Sequence, residues 1–171
     1  MKLQRRLLNQ FINLFWTILS FLPLIIYWYR AHSLFFVILF VVLSVIGIFM
    51  PPAFFRRLQL SRKRSFYRRL GIKVVRKLVQ DGDLVNKFAV TRADRGPIAR
   101  RAHFRRYLQN SLVYERFHFG GFIFFGTTSL HALGHRDYVD AGIFTFINIF
   151  YNVYPILLQQ FNKIRINGLL K

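Results

Sequence analysis

YERFHFGGFIFFGTTSLHALGHRDYVDAGIFTFINIFYNVYPILLQQFNKIR, residues 114–165, decides how this chain is read. It opens with Glu115-Arg116-Phe117-His118 at the mouth of an apolar run, crosses that run, and turns through polar residues between His131 and Asp140. It then returns through a second apolar run. As helices rising 1.5 Å per residue, both runs come near the thickness of a bilayer core, about 30 Å. The first run carries Gly120, Gly121, Gly126, Thr127, Thr128 and Ser129, small residues that let a partner helix approach. The second carries Asn148, Asn152, Pro155 and Gln159 at spacings of 4, 3 and 4, with Asn162 continuing the stripe. Lipid offers such polar groups no partner, so the stripe faces protein or a wet cavity. Hydrogen bonds between helices, each about 1 kcal/mol, explain it as well as a site does.

Two more apolar runs lie upstream. Phe11–Tyr29 contains Pro23, and Leu34–Met50 has no charge. Only Arg30 to Ser33 separates them, and Pro51-Pro52 stops the second, since proline lacks the N–H that a helix needs. A cleaved signal peptide competes for the first run, but the run is long for that purpose and another follows at once. The expectation is an all-α integral membrane protein with four transmembrane helices, at about residues 11–29, 34–50, 117–133 and 141–158. Residues 1–171 would form one membrane domain.

Charge supplies the orientation. The 171 residues carry 26 Lys and Arg against 6 Asp and Glu, a net charge of +20. Nucleic-acid binding is one explanation of such a balance, and the basic excess of cytoplasmic loops is the other. The N-terminus holds 3 basic residues, residues 53–116 hold 18 and the tail holds 3, whereas the two short turns hold only Arg30 and Arg136. All three basic regions fall on one side of a four-span chain. Both termini and the 53–116 segment are therefore expected to be cytoplasmic in a multi-pass cell-membrane protein, with no nucleic-acid partner. The absence of cysteine excludes disulfides, thiolate nucleophiles and cysteine metal sites.

The 53–116 segment reads as basic and amphipathic. Phe66, Leu70, Val74 and Leu78 recur at helical spacing among the cations of Ser61 to Lys77, so a helix lying on anionic lipid is expected there. A turn follows at Asp81-Gly82-Asp83, a break at Gly96-Pro97, and a second basic helix from Ile98 to Asn110.

Two groups of residues suit chemistry. Glu115 and His118 are three apart and share a helix face, so the carboxylate is placed to orient the imidazole as a general base. The plainer explanation is a carboxylate offsetting arginines and a histidine at headgroup level. Asp81, Asp83 and Asn86 form an acidic cluster in a basic segment, fit for sugar hydroxyls or a metal, though taken alone a capped turn explains it better. His135 and Asp140 match the His-four-residues-Asp spacing of the soluble-headed glycerolipid acyltransferases. They fall on the external side without the large domain that houses that motif, so the match is treated as chance. No histidine pair near a cytoplasmic carboxylate has metal-ligand spacing, and no metal is expected.

Three blocks resemble one family, the small bacterial membrane acyltransferases of staphyloxanthin-type carotenoids, the glycosyl-4,4'-diaponeurosporenoate acyltransferases. They are Asp81-Gly82-x-Leu84-x-Asn86, Glu115-x-x-His118, and Asn148-Ile149-Phe150-Tyr151 with Pro155-Ile156, Gln159 to Asn162 and Arg165. The resemblance runs over residues 66 to 168. It implies transfer of a fatty acyl group to a hydroxyl, on a sugar, of a lipid-like acceptor such as a glycosylated carotenoid or membrane glycolipid, at the cytoplasmic interface. No cofactor is implied beyond acyl-CoA or another acyl thioester as co-substrate. On that reading His118 is the base and Glu115 orients it. Asp81, Asp83 and Asn86 bind the sugar, Asn152 or Asn162 donates to the oxyanion, and Arg165 with the arginines at 100–106 holds the donor phosphates. The alternative is a non-enzymatic membrane scaffold or accessory protein whose basic segment binds anionic lipid. A scaffold gives no reason for Glu115, His118 and the Asn152–Asn162 end of the fourth run to converge.

Overall fold

The computed structural model describes residues 2–72, 74–75 and 97–168, with side chains left out at 2–6, 8–9 and 97–106. Among these residues the structure is all helical, with no strand. The helices are α1 (Lys2–Ala31), α2 (Leu34–Ile48), α3 (Pro52–Arg57), α4 (Arg64–Arg69), α5 (Pro97–Gly134), α6 (Tyr138–Asn148) and α7 (Tyr154–Asn167), with a π-helical turn at Ile149–Val153 joining the last two. The acidic cluster Asp81, Asp83 and Asn86 lies outside the described residues.

Every apolar run of the sequence is helical, and the boundaries are set by local chemistry. Arg30 to Ser33 is crossed by His32 in the left-handed region at φ 47°, its Nδ1 2.8 Å from the Arg30 carbonyl. Pro51 ends the α1–α2 hairpin and Pro52 opens α3, where a missing N–H is harmless. The basic helix expected at 98–110 and the apolar helix expected from 117 are one 38-residue helix. The chain changes there from polar to apolar without a glycine or proline between Pro97 and Gly120, so nothing stops the helix. The amphipathic helix expected over 61–77 is instead broken. Its α4 part ends at Leu70, and Gly71 takes φ 76°, a conformation that glycine adopts without strain.

Helix α5 is the axis of the bundle. It packs on α2 along one side and on α6 and α7 along the other, with α1 against α6 and α4 against α7. A Cβ on Gly120 would run into Ile48 and the Ser44 carbonyl, so the glycine lets α2 and α5 close to backbone contact. One core cluster gathers Leu24, Tyr27, Phe125, Ala132, Ala141 and Phe144 at one end. A second gathers Tyr67, Ile72, Leu157, Leu158 and Phe161 at the other. Leu, Ile, Val and Phe side chains along α1 and α2 are exposed. Two helical stretches, Gln10–Ala31 and Tyr138–Asn167, are long and apolar enough to cross a membrane, and α2 is a shorter apolar helix.

Candidate functional site

The stripe of α5 residues Ser111, Glu115, His118 and Gly121 faces the α6–α7 arm. The helices run antiparallel, because only His135 to Asp137 connects them. Near the start of the stripe, Ser111 donates to Gln159 Oε1 at 2.8 Å. One turn further along α5, Glu115 is fully buried and its Oε2 accepts from the Lys163 ammonium. Side chains on a helix lean toward its N-terminus, so Lys163 reaches back along α7 to meet the carboxylate. Glu115 Oε1 has no partner among the described residues. Burial pushes the Glu115 carboxyl up from its ordinary value, and the Lys163 hydrogen bond and charge offset only part of that.

Gln160 ties the same spot to the strap between α3 and α4. Its Oε1 accepts from the Tyr67 hydroxyl at 2.9 Å and the Leu60 amide at 3.3 Å, and its Nε2 donates to the Leu58 carbonyl at 3.2 Å. Tyr67 and Gln160 are both buried. Burial also pushes the Tyr67 hydroxyl up, which keeps it a donor at neutral pH. Arg64 donates to the Arg165 carbonyl at 3.1 Å, and Arg116 donates to the Met50 carbonyl at 3.1 Å. Guanidinium groups thus occupy the carbonyl ends of α7 and α2, where the helix dipole favours a cation.

His118 sits on the π-helical turn. Its ring is 5.9 Å from that of Tyr151, and the Tyr151 backbone and Asn152 carboxamide both act on the imidazole. In an α-helix the Tyr151 carbonyl would accept from residue 155, but Pro155 has no N–H to give. Single π turns occur often where a helix carries a functional group. Asn152 is fully buried, with Nδ2 donating to Asn148 Oδ1 at 2.9 Å and Oδ1 unpartnered. That oxygen stands over Gly121, where any Cβ would overlap it. Asn148 in turn donates to the Phe122 carbonyl at 3.0 Å.

Glu115, His118 and Asn152 are therefore brought together on facing helices, and each leaves one buried polar atom unmet among the described residues: Oε1, Nδ1 and Oδ1. The contact expected between Glu115 and His118 is replaced. The carboxylate pairs with Lys163, and the group beside the imidazole is Asn152. Asn162 is buried on α7, and Arg165 is exposed beyond it. Neither is among the groups that act on Glu115 or His118. Lys163, Gln160, Tyr67 and the strap were not anticipated from the sequence. Among the described residues no group of three or more His, Asp or Glu is placed to hold a metal.

The fold and this cluster define a class: a small, strongly basic helical protein with bilayer-length apolar helices and a buried carboxylate–imidazole–amide cluster at the end bearing its cations. The sequence pattern of the glycosyl-4,4'-diaponeurosporenoate acyltransferase family matches residues 51–171, well over half of the chain. The chain belongs to that family, and the match reaches further toward the N-terminus than the resemblance over 66–168. No curated protein and no solved structure matches the chain.

Proposed function

We propose that the protein is a membrane acyltransferase that moves a fatty acyl group from a thioester to a hydroxyl of a lipid-like acceptor, as the family's name describes for a glycosylated carotenoid. The observation that carries this reading is the fully buried Glu115, ion-paired with Lys163, on the same face of α5 as His118. One imidazole nitrogen of His118 serves as the base, with the buried Asn152 carboxamide beside the ring. That nitrogen takes the acceptor's hydroxyl proton while its oxygen bonds to the thioester carbonyl carbon. The C–S bond then breaks and the proton passes to the leaving thiolate, giving an ester and a free thiol. No covalent enzyme intermediate is needed. The Lys163–Glu115 pair supplies a fixed dipole beside the reacting carbonyl. Sugar hydroxyls of the acceptor fall to Asp81, Asp83 and Asn86, and Asn162 and Arg165 line the approach along α7.

We place the chain in the membrane with four spans, near 11–29, 34–50, 117–133 and 141–158, and with 53–116 and both termini in the cytoplasm. The α1 and α2 apolar exposure and the two bilayer-length helices support this arrangement.

The test is mass spectrometry of lipids and pigments extracted from the native host, comparing wild type, a gene deletion and His118→Ala at equal protein level. A species heavier by one fatty acyl group should appear with wild type and vanish with the deletion. His118→Ala should form it roughly 100 to 10,000 times more slowly, the usual span for losing a general base. Identical profiles in all three strains would refute acyl transfer.

A further inference from the structure

Outside the buried cluster, the described residues form a cleft of about 630 Å3 lined by Ala53, Arg56, Arg57, Gln59 and Arg62. We propose that this cleft binds the phosphate groups of a nucleotide-bearing acyl donor of the coenzyme A type. The assignment rests on the acyltransferase reading above and adds to it a donor class and a place for its head.

Charge supports the assignment first. The cleft is lined by three arginines, with no Asp or Glu among its described lining residues. Guanidinium groups bind phosphate oxygens in bidentate pairs, and a diphosphate with a third phosphate matches three of them. A phospholipid diester offers these three arginines one phosphate, where the coenzyme A head offers three. Size agrees, since 630 Å3 lies within the range of small-molecule sites. The Gln59 Nε2 donates to the Ser61 carbonyl at 2.9 Å, which leaves its amide oxygen as an acceptor for a base or an amide of the donor's arm.

Placement supports it further. Gln59 lies between Leu58 and Leu60, and both of these bond to Gln160. The strap that walls the cleft is thus tied to α7 three residues before Lys163, the partner of Glu115. Phe54 and Phe55 pack on Phe119 of α5, with ring centroids 5.3 and 5.5 Å apart. That contact fixes α3, and with it Arg56 and Arg57, against α5 at Phe119.

The experiment measures binding of coenzyme A, and separately of phosphatidylglycerol vesicles, to the purified full chain in phosphatidylcholine nanodiscs. A triple Arg56→Ala, Arg57→Ala, Arg62→Ala variant is compared with a charge-matched control, Lys63→Ala, Arg68→Ala, Arg69→Ala, which removes three neighbouring cations from outside the cleft. The cleft variant should lose at least about tenfold in coenzyme A affinity, the effect of removing charge-assisted hydrogen bonds, with the control within about twofold of wild type. Equal losses in both variants would mean diffuse electrostatics and overturn the proposal. So would unchanged coenzyme A binding with lost vesicle binding, which would make the cleft a headgroup site. Binding is read without turnover, so it separates the two readings. Coenzyme A held by the cleft in a chain that never acylates would leave the site and remove the function. Acyl transfer undiminished in the cleft variant would leave the function and remove the site.

Discussion

The two ends of the bundle each hold a histidine of α5 among buried polar atoms that lack described partners, yet they are built differently. At the end carrying Arg30 and Asp140, His131 shares a hydrogen bond of 2.7 Å with the Tyr27 hydroxyl and is ringed by Trp28, Phe36 and His135. Trp28 Nε1, Thr128 Oγ1 and His131 Nε2 have no described partner there. The ion pair of that end, Arg30–Asp140 at 2.9 Å, stands in the open, with its arginine side chain 60% exposed. At the other end the pair is Lys163–Glu115, with side chains 18% and 1% exposed. Unmet polar atoms therefore do not by themselves distinguish a site, since an internal water satisfies them. The buried Lys163–Glu115 pair does set the two ends apart, because taking ions from water costs several kcal/mol.

Substitutions that treat the two ends alike should break this contrast if it is wrong. The largest effect is expected for Lys163→Ala, which strands a buried carboxylate and should lower unfolding stability by about 3–5 kcal/mol. Thermal unfolding in detergent reads the change, and the double variant Lys163→Met, Glu115→Gln should recover much of it. A loss no greater than that of an exposed pair would show that Glu115 is hydrated. Next comes Gly121→Ala. Its new methyl overlaps the Asn152 carboxamide, and overpacking of this kind costs about 1–3 kcal/mol. Acyl transfer should fall more steeply than stability, because Asn152 is pushed off His118.

The pH dependence sharpens the comparison further. Burial raises the Glu115 carboxyl in the folded state, so the folded chain holds that proton more tightly than the unfolded chain does. The associated stability is fully present below the ordinary value of 4.5 and is lost as pH rises through the raised one. Unfolding midpoints of wild type should drop relative to Glu115→Gln as pH climbs from 4.5, and parallel curves would contradict the burial. The smallest effect is expected for Arg30→Ala, about 0.2–1 kcal/mol, as for other exposed pairs, and it should vanish in high salt.

Much of this architecture was legible in the residues. Hydrophobic blocks, proline stops and the short turns between runs located the helices, because each is a local property of the chain. The continuity of α5 was hidden by a change of polarity at Phe117 that resembles a boundary without breaking a single backbone hydrogen bond. Glu115, His118 and Asn152 were readable as polar groups at odds with apolar surroundings. Lys163 and Gln160 were not. An α-helix advances about 100° per residue, which places Gln160 about 120° from Asn148 and off the polar stripe. The π-helical turn advances less per residue, so everything after Val153 lags that count. The lag carries Gln160 and Lys163 toward α5 and the strap, and carries Asn162 away. No periodicity in the sequence announces such a turn, although Pro155 lies just beyond it.

The uninterrupted length of α5 has a mechanical side. At 1.5 Å per residue its 38 residues form a rod of about 57 Å, nearly twice the thickness of a bilayer core. Glu115 stands close to its midpoint, like the pivot of a beam. From Pro97 to Gly120 there is no joint in which a bend is easily taken up. A load placed on the basic arm is therefore delivered as a tilt at the carboxylate and the imidazole.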